Sequence, residues 1–447
     1  MDILKQTKFL LALTIAKTTA IGLKLFSKPA TSLPGMLALK IDKDFLSNTT
    51  SSCQKSIITV TGTNGKTTTS GLIAEILKKK EDSVLHNNKG ANMPQGIATS
   101  LALNITPYKK FDYFVLENDE AYLNKIYDQI NADYLVVTNL FLDQMDRYCE
   151  TQKTASLIKK AIDKNPNLTL LLNADDPMLK TLYTKKTLTF GFENIEVINK
   201  KENGKMNNEI YCSCGGKLSY TKHFYDNIGH YSCTCGFRRK EPDFNASAKI
   251  YQAKTEITVK YQTKTYNLTT KLSGIYNAYN VLAAIAISIM TGHSEQNIQN
   301  ALNQFKPAFG RTDKIFINGK EILIQLIKNP TGTNEAINAV LSSNNKSNLL
   351  IAINDEYADG RDVSWLWATN FEALNKFGGK IIVSGKRASD MALRLKYIGL
   401  KTENIIIEEN IELALKTSLK NTKTNHTLHI LQTYTALSSI QKILKKL

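Results

Sequence analysis

The chain has 447 residues, enough for two or three domains that each bury a core, so a fold dependent on disulfide staples is excluded. Apolar content of 42% and charged content of 22% are those of a soluble globular protein. A formal net charge of +17 favours anionic partners, and nucleotides, nucleic acid and an acidic membrane surface all qualify.

The N-terminal stretch Met1 to Phe26 is apolar, but its longest uncharged run, Phe9 to Ala16, falls far short of the roughly 18 residues that a membrane-spanning helix needs. Lys17 and Lys24 interrupt the apolar residues beyond that run. It reads as a basic amphipathic helix within an N-terminal helical segment (residues 1–50), packed on the first domain in preference to peripheral membrane contact. Ser27 to Pro34 reads as a connection.

Strand and helix patterns then alternate, with apolar strand candidates at Ser56–Val60, Ser83–His86, Tyr113–Leu116, Tyr134–Thr138 and Leu168–Leu172. This pattern predicts an α/β domain built on a doubly wound parallel sheet. Directly after the first strand comes Gly62-Thr63-Asn64-Gly65-Lys66-Thr67-Thr68-Thr69, and then the helical apolar pattern of Leu72, Ile73, Ile76 and Leu77. Strand, glycine-rich turn and helix in that order form a phosphate-binding loop. Backbone N–H groups and the helix N-terminus face phosphate oxygens, Lys66 reaches the terminal phosphates, and the Thr67 hydroxyl can ligate magnesium. Lys66 is expected to be solvated until phosphates arrive. Val60 stands where the usual motif has its first glycine, and the competing reading is a polar turn with a chance Gly-Lys-Thr.

From about Asn199 to Pro242 the texture changes to Gly, Tyr, Asn, Cys and His. Cys212, Cys214, Cys233 and Cys235 form two Cys-x-Cys pairs, each followed by glycine. With no export signal a disulfide framework is not expected, whereas four thiolates suit tetrahedral zinc, so the segment reads as a zinc ribbon inserted at about 200–242. Four protein ligands would make that site structural. His223 and His230 read as turn or packing residues, and Cys53 and Cys149 as isolated buried thiols. Strands are expected at Thr255–Tyr261 and Lys264–Leu272, then an Ala-rich helix from about Asn277 to Met290. A second alternating block begins near Gly310, with strands at Leu349–Ile353, Lys380–Ser384, Asn404–Ile407 and Thr427–Gln432. The domains are thus 1–50, 51–309 and a Rossmann-like C-terminal α/β domain, 310–447.

The variant Thr-Gly-Thr-Asn-Gly-Lys-Thr-Thr resembles the Mur ligase family, whose members activate a carboxylate with ATP as an acyl phosphate that an amine attacks. Five further stretches carry the resemblance: Asn87–Asn92, Val115-Leu116-Glu117, Thr138–Arg147, Leu172–Pro177 and Asn277-Ala278-Tyr279-Asn280, with Gly310-Arg311 at the entry to the last domain. It implies ATP and magnesium as cofactors, with Glu117 and Thr67 on the metal. Asn277, Asn280 and Arg311 would clamp the nucleotide between the central and last domains. On their own, Glu117 could equally be a strand-end charge and the asparagines a helix cap. The chain departs from the pattern at Gln144, where the family has a histidine, and at Gln325-Leu326-Ile327-Lys328-Asn329-Pro330 in place of Asp-Tyr-Ala-His-Asn-Pro. An imidazole metal ligand and a ribose-binding carboxylate are therefore missing from their expected places. So is the UDP-sugar domain, since only about 50 residues precede the loop.

The short N-terminus, the cysteine insert and the segment Asn354 to Trp365, with Gly385-Lys386-Arg387-Ala388 and Tyr434-Thr435-Ala436, resemble the MurT branch. That branch amidates the D-glutamate of lipid II at the membrane surface, in the cytoplasm or peripherally at the inner face of the membrane. Its partner is a GatD-like glutamine amidotransferase that supplies ammonia. By motif position Asp362 would complete the partner's catalytic triad, since a carboxylate fixes the tautomer of an imidazole. Asp355 and Asp359 are its rivals, and a cap on the helix beginning near Ser364 is the plainer role for Asp362. The expected catalytic residues are Lys66, Glu117 and Asp362. Two other readings stand: an amino-acid-adding ligase of the folylpolyglutamate synthase type, and a zinc-ribbon nucleic-acid-binding ATPase. Dispersed basic residues, with no stacking surface beyond Phe237-Arg238-Arg239, favour a protein without a nucleic-acid partner.

Overall fold

The apolar runs beyond Ser52 become parallel strands because both their faces are covered, a placement that near-continuous Val, Ile and Leu tolerates and polar side chains do not. The computed structural model describes residues 3–26, 30–88, 91–106, 108–141, 151–198, 210–306, 313–342 and 347–445. The chain divides into two compact units, Met1–Leu140 with Gln152–Lys306, and Phe141–Thr151 with Pro307–Leu447.

The first unit opens with helices α1 (Ile3–Leu25), α2 (Leu33–Ile41) and α3 (Phe45–Thr50). Then come β1 (Cys53–Thr61), α4 (Lys66–Lys78), β2 (Val84–His86), α5 (Pro94–Asn104), β3 (Phe111–Glu117), a short α6 (Leu123–Ile126) and β4 (Tyr134–Val137). They are followed by α7 (Thr151–Asp163), β5 (Thr169–Asn173), β6 (Thr187–Val197), the hairpin β7 (Ser219–Tyr225) and β8 (Ile228–Ser232), and β9 (Phe244–Ile250). The unit closes with β10 (Thr255–Tyr261), β11 (Lys264–Thr270), α8 (Ile275–Met290) and α9 (Glu295–Gln304). Its sheet has nine strands in the order β11-β10-β9-β6-β5-β4-β1-β3-β2. All pairs from β9 to β2 are parallel, while β9-β10-β11 is antiparallel.

The five strands expected first, β1 to β5, pair in parallel, and the sheet continues past them through β6 and β9 to the antiparallel β10 and β11. β6 and β9, which carry Gly, Asn, Glu and Lys among their apolar residues, have no continuous apolar run to mark them as central strands. The N-terminal segment is also more than one helix. α2 begins at Leu33, inside the stretch read as a connection, with Ser32 at its N-cap and Pro34 in its first turn, and Ala12, Ala16, Ala38, Phe45 and Leu46 join the core under the sheet.

The second unit holds β12 (Asp313–Ile317), β13 (Lys320–Leu326), α10 (Pro330–Ser342), β14 (Ser347–Ala352), α11 (Trp365–Ala368) and β15 (Ile381–Ser384). It continues with α12 (Ala388–Tyr397), β16 (Ile405–Ile407), α13 (Ile411–Asn421), β17 (Thr427–Gln432) and α14 (Tyr434–Leu444). Its six-stranded sheet runs β12-β13-β17-β14-β15-β16, parallel except for the β12-β13 hairpin.

Candidate active site

β1 brings the loop to the carboxyl end of the sheet, where Val60 lies in register with Glu117 at the end of β3. Two glycines are required there. Gly62 has φ of +127°, and a Cβ on it would stand 2.3 Å from Thr138 Oγ1. Gly65 has φ of +86°, and a Cβ on it would stand 1.9 Å from Asn280 Oδ1. The left-handed region and the absence of space both exclude a side chain. The residues just after β4 clamp the loop from outside. Thr63 N–H donates to the Asn139 carbonyl at 2.9 Å, Asn64 N–H donates to Asn139 Oδ1 at 2.9 Å, and Thr138 Oγ1 donates to the Asn64 carbonyl at 2.7 Å. The loop is thereby shaped before any ligand arrives.

Lys66 is not solvated, which corrects the expectation for it. It is 8% exposed, and its Nζ donates to the Gly62 carbonyl at 2.5 Å and pairs with Glu120 Oε1 at 2.9 Å. Glu120 is itself buried. Sequence reasoning missed this residue, although its signal lay in the acidic run Glu117-Asn118-Asp119-Glu120 directly after a buried strand. At the same end, Thr67 Oγ1 and Glu117 Oε2 are buried oxygens without a hydrogen-bond partner. A native structure rarely leaves such groups unsatisfied unless an ion or ligand completes them, and hard oxygen donors of this kind suit magnesium. Glu117 is held from behind: its N–H donates to Asn87 Oδ1 at 2.8 Å, Asn87 Nδ2 donates to its carbonyl at 2.9 Å, and Asn92 Nδ2 donates to Oε1 at 3.3 Å. Asn87 and Asn92 flank Lys89 and Gly90, which lie outside the described residues.

On α8, Asn280 faces the loop, with Thr69 Oγ1 at 3.4 Å from its Oδ1, and it bonds Asn277 at 3.4 Å. Arg311, Gly310, Gln144 and the rest of the Asp143–Arg147 stretch lie outside the described residues, as does Cys149. Cys53 is half-buried, and burial pushes its thiol up to about 11. Between α8 and the insert sits a buried polar node. Asp175 accepts from Tyr279 OH at 2.6 Å, Arg239 Nε at 2.6 Å and Phe192 N–H at 2.8 Å, and burial still pushes its carboxyl above the usual range. Asp176 accepts from Leu140 N–H at 2.7 Å and Asn227 Nδ2 at 3.1 Å, with burial raising it to about 7. Arg239 and Asn227 belong to the insert, so the Asp-Asp pair ties it to the end of β5.

In the insert the four cysteines converge, with all Sγ atoms within 4.8 Å of one another. Cys212 and Cys235 are 3.7 Å apart, and Cys214 and Cys233 are 3.6 Å apart. A tetrahedron with metal–sulfur bonds of about 2.3 Å has edges of about 3.8 Å, so the cluster has the dimensions of a thiolate metal site. Two matching turns build it: Cys212 N–H donates to the Gly216 carbonyl at 2.8 Å, and Cys233 N–H donates to the Phe237 carbonyl at 2.7 Å. His223 and His230 turn elsewhere, each with Nε2 on a backbone carbonyl, of Asp226 at 2.7 Å and of Phe192 at 2.8 Å.

In the second unit, Asp362 accepts from Ser364 N–H at 2.7 Å and Ser364 Oγ at 2.8 Å, just ahead of α11. These bonds make a turn onto Ser364, which is itself the N-cap residue, so Asp362 does not cap α11. Asp359 is buried and taken up internally by Thr435, whose N–H and Oγ1 donate to it at 2.7 and 2.5 Å, while Asp355 lies 3.5 Å from Arg387. Asp355 and Asp362 are both half-buried, and the hydrogen bonds of Asp362 stay within its own turn. Gln325, at the end of β13, is buried with Oε1 unpartnered, and Asn329 Oδ1 accepts from Gly332 N–H at 2.9 Å.

Residues 60–219 match the Mur ligase middle domain, and residues 326–437 match the MurT ligase C-terminal domain. The MurT subunit of lipid II isoglutaminyl synthase (glutamine-hydrolyzing) from Streptococcus pneumoniae is 36% identical over 422 residues, 92% of each chain. The subunit of the same name from Staphylococcus aureus strain COL is 35% identical over 402 residues, 90% of each chain. Among solved structures, a pseudomurein peptide ligase type C from Methanothermus fervidus aligns with a TM-score of 0.70 at 22% identity, covering 88% of this chain and 79% of that one. MurF ligase from Thermotoga maritima in complex with ADP aligns with a TM-score of 0.61 at 17% identity, covering 91% and 83%. These structures share the fold, and the relatives align over nine-tenths of the chain, with family matches in both units: the chain belongs to the MurT family of Mur ligases.

Proposed function

We propose that this chain is the ligase subunit of a lipid II isoglutaminyl synthase, which turns the α-carboxylate of the D-glutamate of lipid II into an amide at the expense of ATP. A carboxylate oxygen attacks the γ-phosphorus and ADP leaves; ammonia then adds to the acyl phosphate and phosphate departs, giving D-isoglutamine. The observation that carries the reading is 35–36% identity to named MurT subunits over nine-tenths of the chain. A GatD-like glutamine amidotransferase would release the ammonia, with Asp362 orienting its histidine.

Within the site, backbone N–H groups from Gly62 to Thr68 cradle the phosphates, and Lys66 leaves Glu120 to reach the transferring phosphoryl group. Thr67 and Glu117 would hold magnesium, which neutralises charge on the β- and γ-phosphates. Asn277, Asn280 and Arg311 position the nucleoside. ATP and a lipid-linked substrate meet at the inner face of the membrane. No helix among the described residues is long and apolar enough to cross it.

The test is ATP turnover by the chain with its amidotransferase partner. It should depend on lipid II, yield D-isoglutamine, and ignore DNA and RNA; turnover driven by nucleic acid would reinstate the ATPase reading. In the same assay Glu117→Ala should raise the magnesium requirement or remove activity, and an unchanged magnesium titration would return Glu117 to a strand-end charge.

The four cysteines are proposed to bind one zinc, whose full sulfur shell leaves no open position for chemistry. Metal analysis of protein purified under reducing conditions should find one equivalent, and a metal-free chain would refute the assignment. Because thiolate–zinc bonds contribute directly to folding, Cys214→Ser should open the insert to proteolysis while changing ATP affinity far less than a loop variant does.

A further inference from the structure

α1 is apolar on two faces, and only one of them is used. Ala12, Leu13, Ala16 and Ala20 are buried against the unit, whereas Leu4 is 63%, Leu11 51%, Ile21 59% and Leu25 79% exposed. At about 100° per residue these four fall within one arc of the outer face, because they are spaced by 7, 10 and 4 residues. Exposed Thr14 and Thr18 share this arc, with their hydroxyls turned back onto the Leu10 and Thr14 carbonyls, and an exposed row of large apolar residues of this kind marks a contact surface. Leu33 and Met36 add exposed apolar surface at the start of α2.

Charge identifies the occupant. From Ile3 to Ile41 the sequence contains no Asp or Glu, and its basic residues are all lysines. Lys8 and Lys24 are exposed at the two margins of the stripe, where their ammonium groups can reach lipid phosphates while the stems cover apolar surface. Lys17 is engaged elsewhere, donating to the Ile105 carbonyl at 2.7 Å. The helix is too short of apolar residues to span a bilayer, so the geometry fits one that lies in the interface with its leucines among the acyl chains.

The fold also connects this face to the chemistry. α2 bonds α5 through Gly35 N–H to Thr99 Oγ1 at 2.8 Å, and α5 begins two residues after Asn92, which touches Glu117. We infer that the outer face of α1 docks on an anionic bilayer surface and presents the loop end of the sheet to the plane in which the substrate's lipid is anchored. The second half of this inference rests on the proposed function, while the docking itself does not.

The experiment is vesicle co-sedimentation of the full chain with its amidotransferase partner. The vesicles are phosphatidylcholine containing about 30% phosphatidylglycerol, or phosphatidylcholine alone. Binding is expected to the anionic vesicles, about tenfold weaker to the neutral ones, and salt-sensitive. The double variant Leu11→Glu/Leu25→Glu should lose at least about tenfold in binding, and Lys8→Ala/Lys24→Ala about fivefold for each lysine. Both should keep amidation of a short-chain, water-soluble lipid II analogue, which shows that they fold, and lose it on vesicle-embedded lipid II.

Wild-type protein that stays in the supernatant with anionic vesicles, or a Leu→Glu variant that sediments like wild type, overturns the docking face. So does a variant that instead separates from the amidotransferase or from a second copy, since the stripe is then a protein interface. Vesicle binding without any amidated product leaves the docking intact and fails the functional reading; amidation without vesicle binding does the reverse.

Discussion

Lys66→Ala is expected to abolish ATP-dependent amidation, with a loss of at least about a thousandfold in turnover, because the phosphoryl group would lose the ammonium aimed at its developing charge. Lys66 is the one cation between Gly62 and Thr69, so the loop holds no second ammonium to replace it. The burial of the lysine adds a second effect. Removing it breaks the ion pair with the buried Glu120 carboxylate, and breaking a buried pair costs about 3–5 kcal/mol unless the carboxylate takes up a proton. The single variant should therefore melt at a lower temperature as well as being inactive. Lys66→Ala/Glu120→Gln separates the two effects: the neutral amide should restore much of the thermal stability and none of the activity. Amidation by either variant at saturating ATP would mean that another group carries the phosphates.

Asp362→Asn should suppress glutaminase activity in the complex and, with it, glutamine-driven amidation, by about 10,000-fold if the carboxylate serves the partner's histidine as in a hydrolytic triad. An amide cannot stabilise the imidazolium, and it can favour the wrong tautomer. The side chain already accepts from Ser364, and an amide oxygen can still accept from the Ser364 N–H, so the turn ahead of α11 should survive the change. High concentrations of free ammonium should then restore substantial amidation in Asp362→Asn, whereas nothing should rescue Lys66→Ala. If ammonium fails with a folded, partner-bound protein, Asp362 acts in ligase chemistry instead. If glutaminase is normal, Asp355 becomes the leading acid, because Asp359 is already committed to Thr435.

The parts that were legible in the sequence are those whose chemistry is local. Eight consecutive residues hold strand exit, turn and helix entry, so Gly62 to Thr69 could be placed without tertiary knowledge, and two closely spaced cysteine pairs suffice to expect a metal cluster. Glu120 was not legible. An acidic residue after a strand has many fates, and only the fold brings this one to Lys66. Tyr279 and Arg239 were hidden for the same reason, meeting Asp175 from positions far along the chain. Among the strands, β12 and β13 were overlooked although their signal was local: Ile315-Phe316-Ile317 and Ile322-Leu323-Ile324 flank Asn318-Gly319, whose positive φ angles make the hairpin turn. Asp362 shows the opposite limit. Its local contacts are those of an ordinary turn onto Ser364, and the role proposed for it would be realised only when another protein is present.

The ion pair between Lys66 and Glu120 makes the loop carry its own competitor. Every ligand that needs the ammonium must first displace the carboxylate, and that cost is the same whether one phosphate arrives or three. A constant subtracted from all affinities removes the weakest binders first. On the proposed function, inorganic phosphate, with few contacts to set against it, would be turned away, while a nucleoside triphosphate that also engages the backbone cradle and the oxygens of Thr67 and Glu117 would still bind. When the spent phosphate leaves, Glu120 is there to reclaim the lysine, which favours release of product over its return.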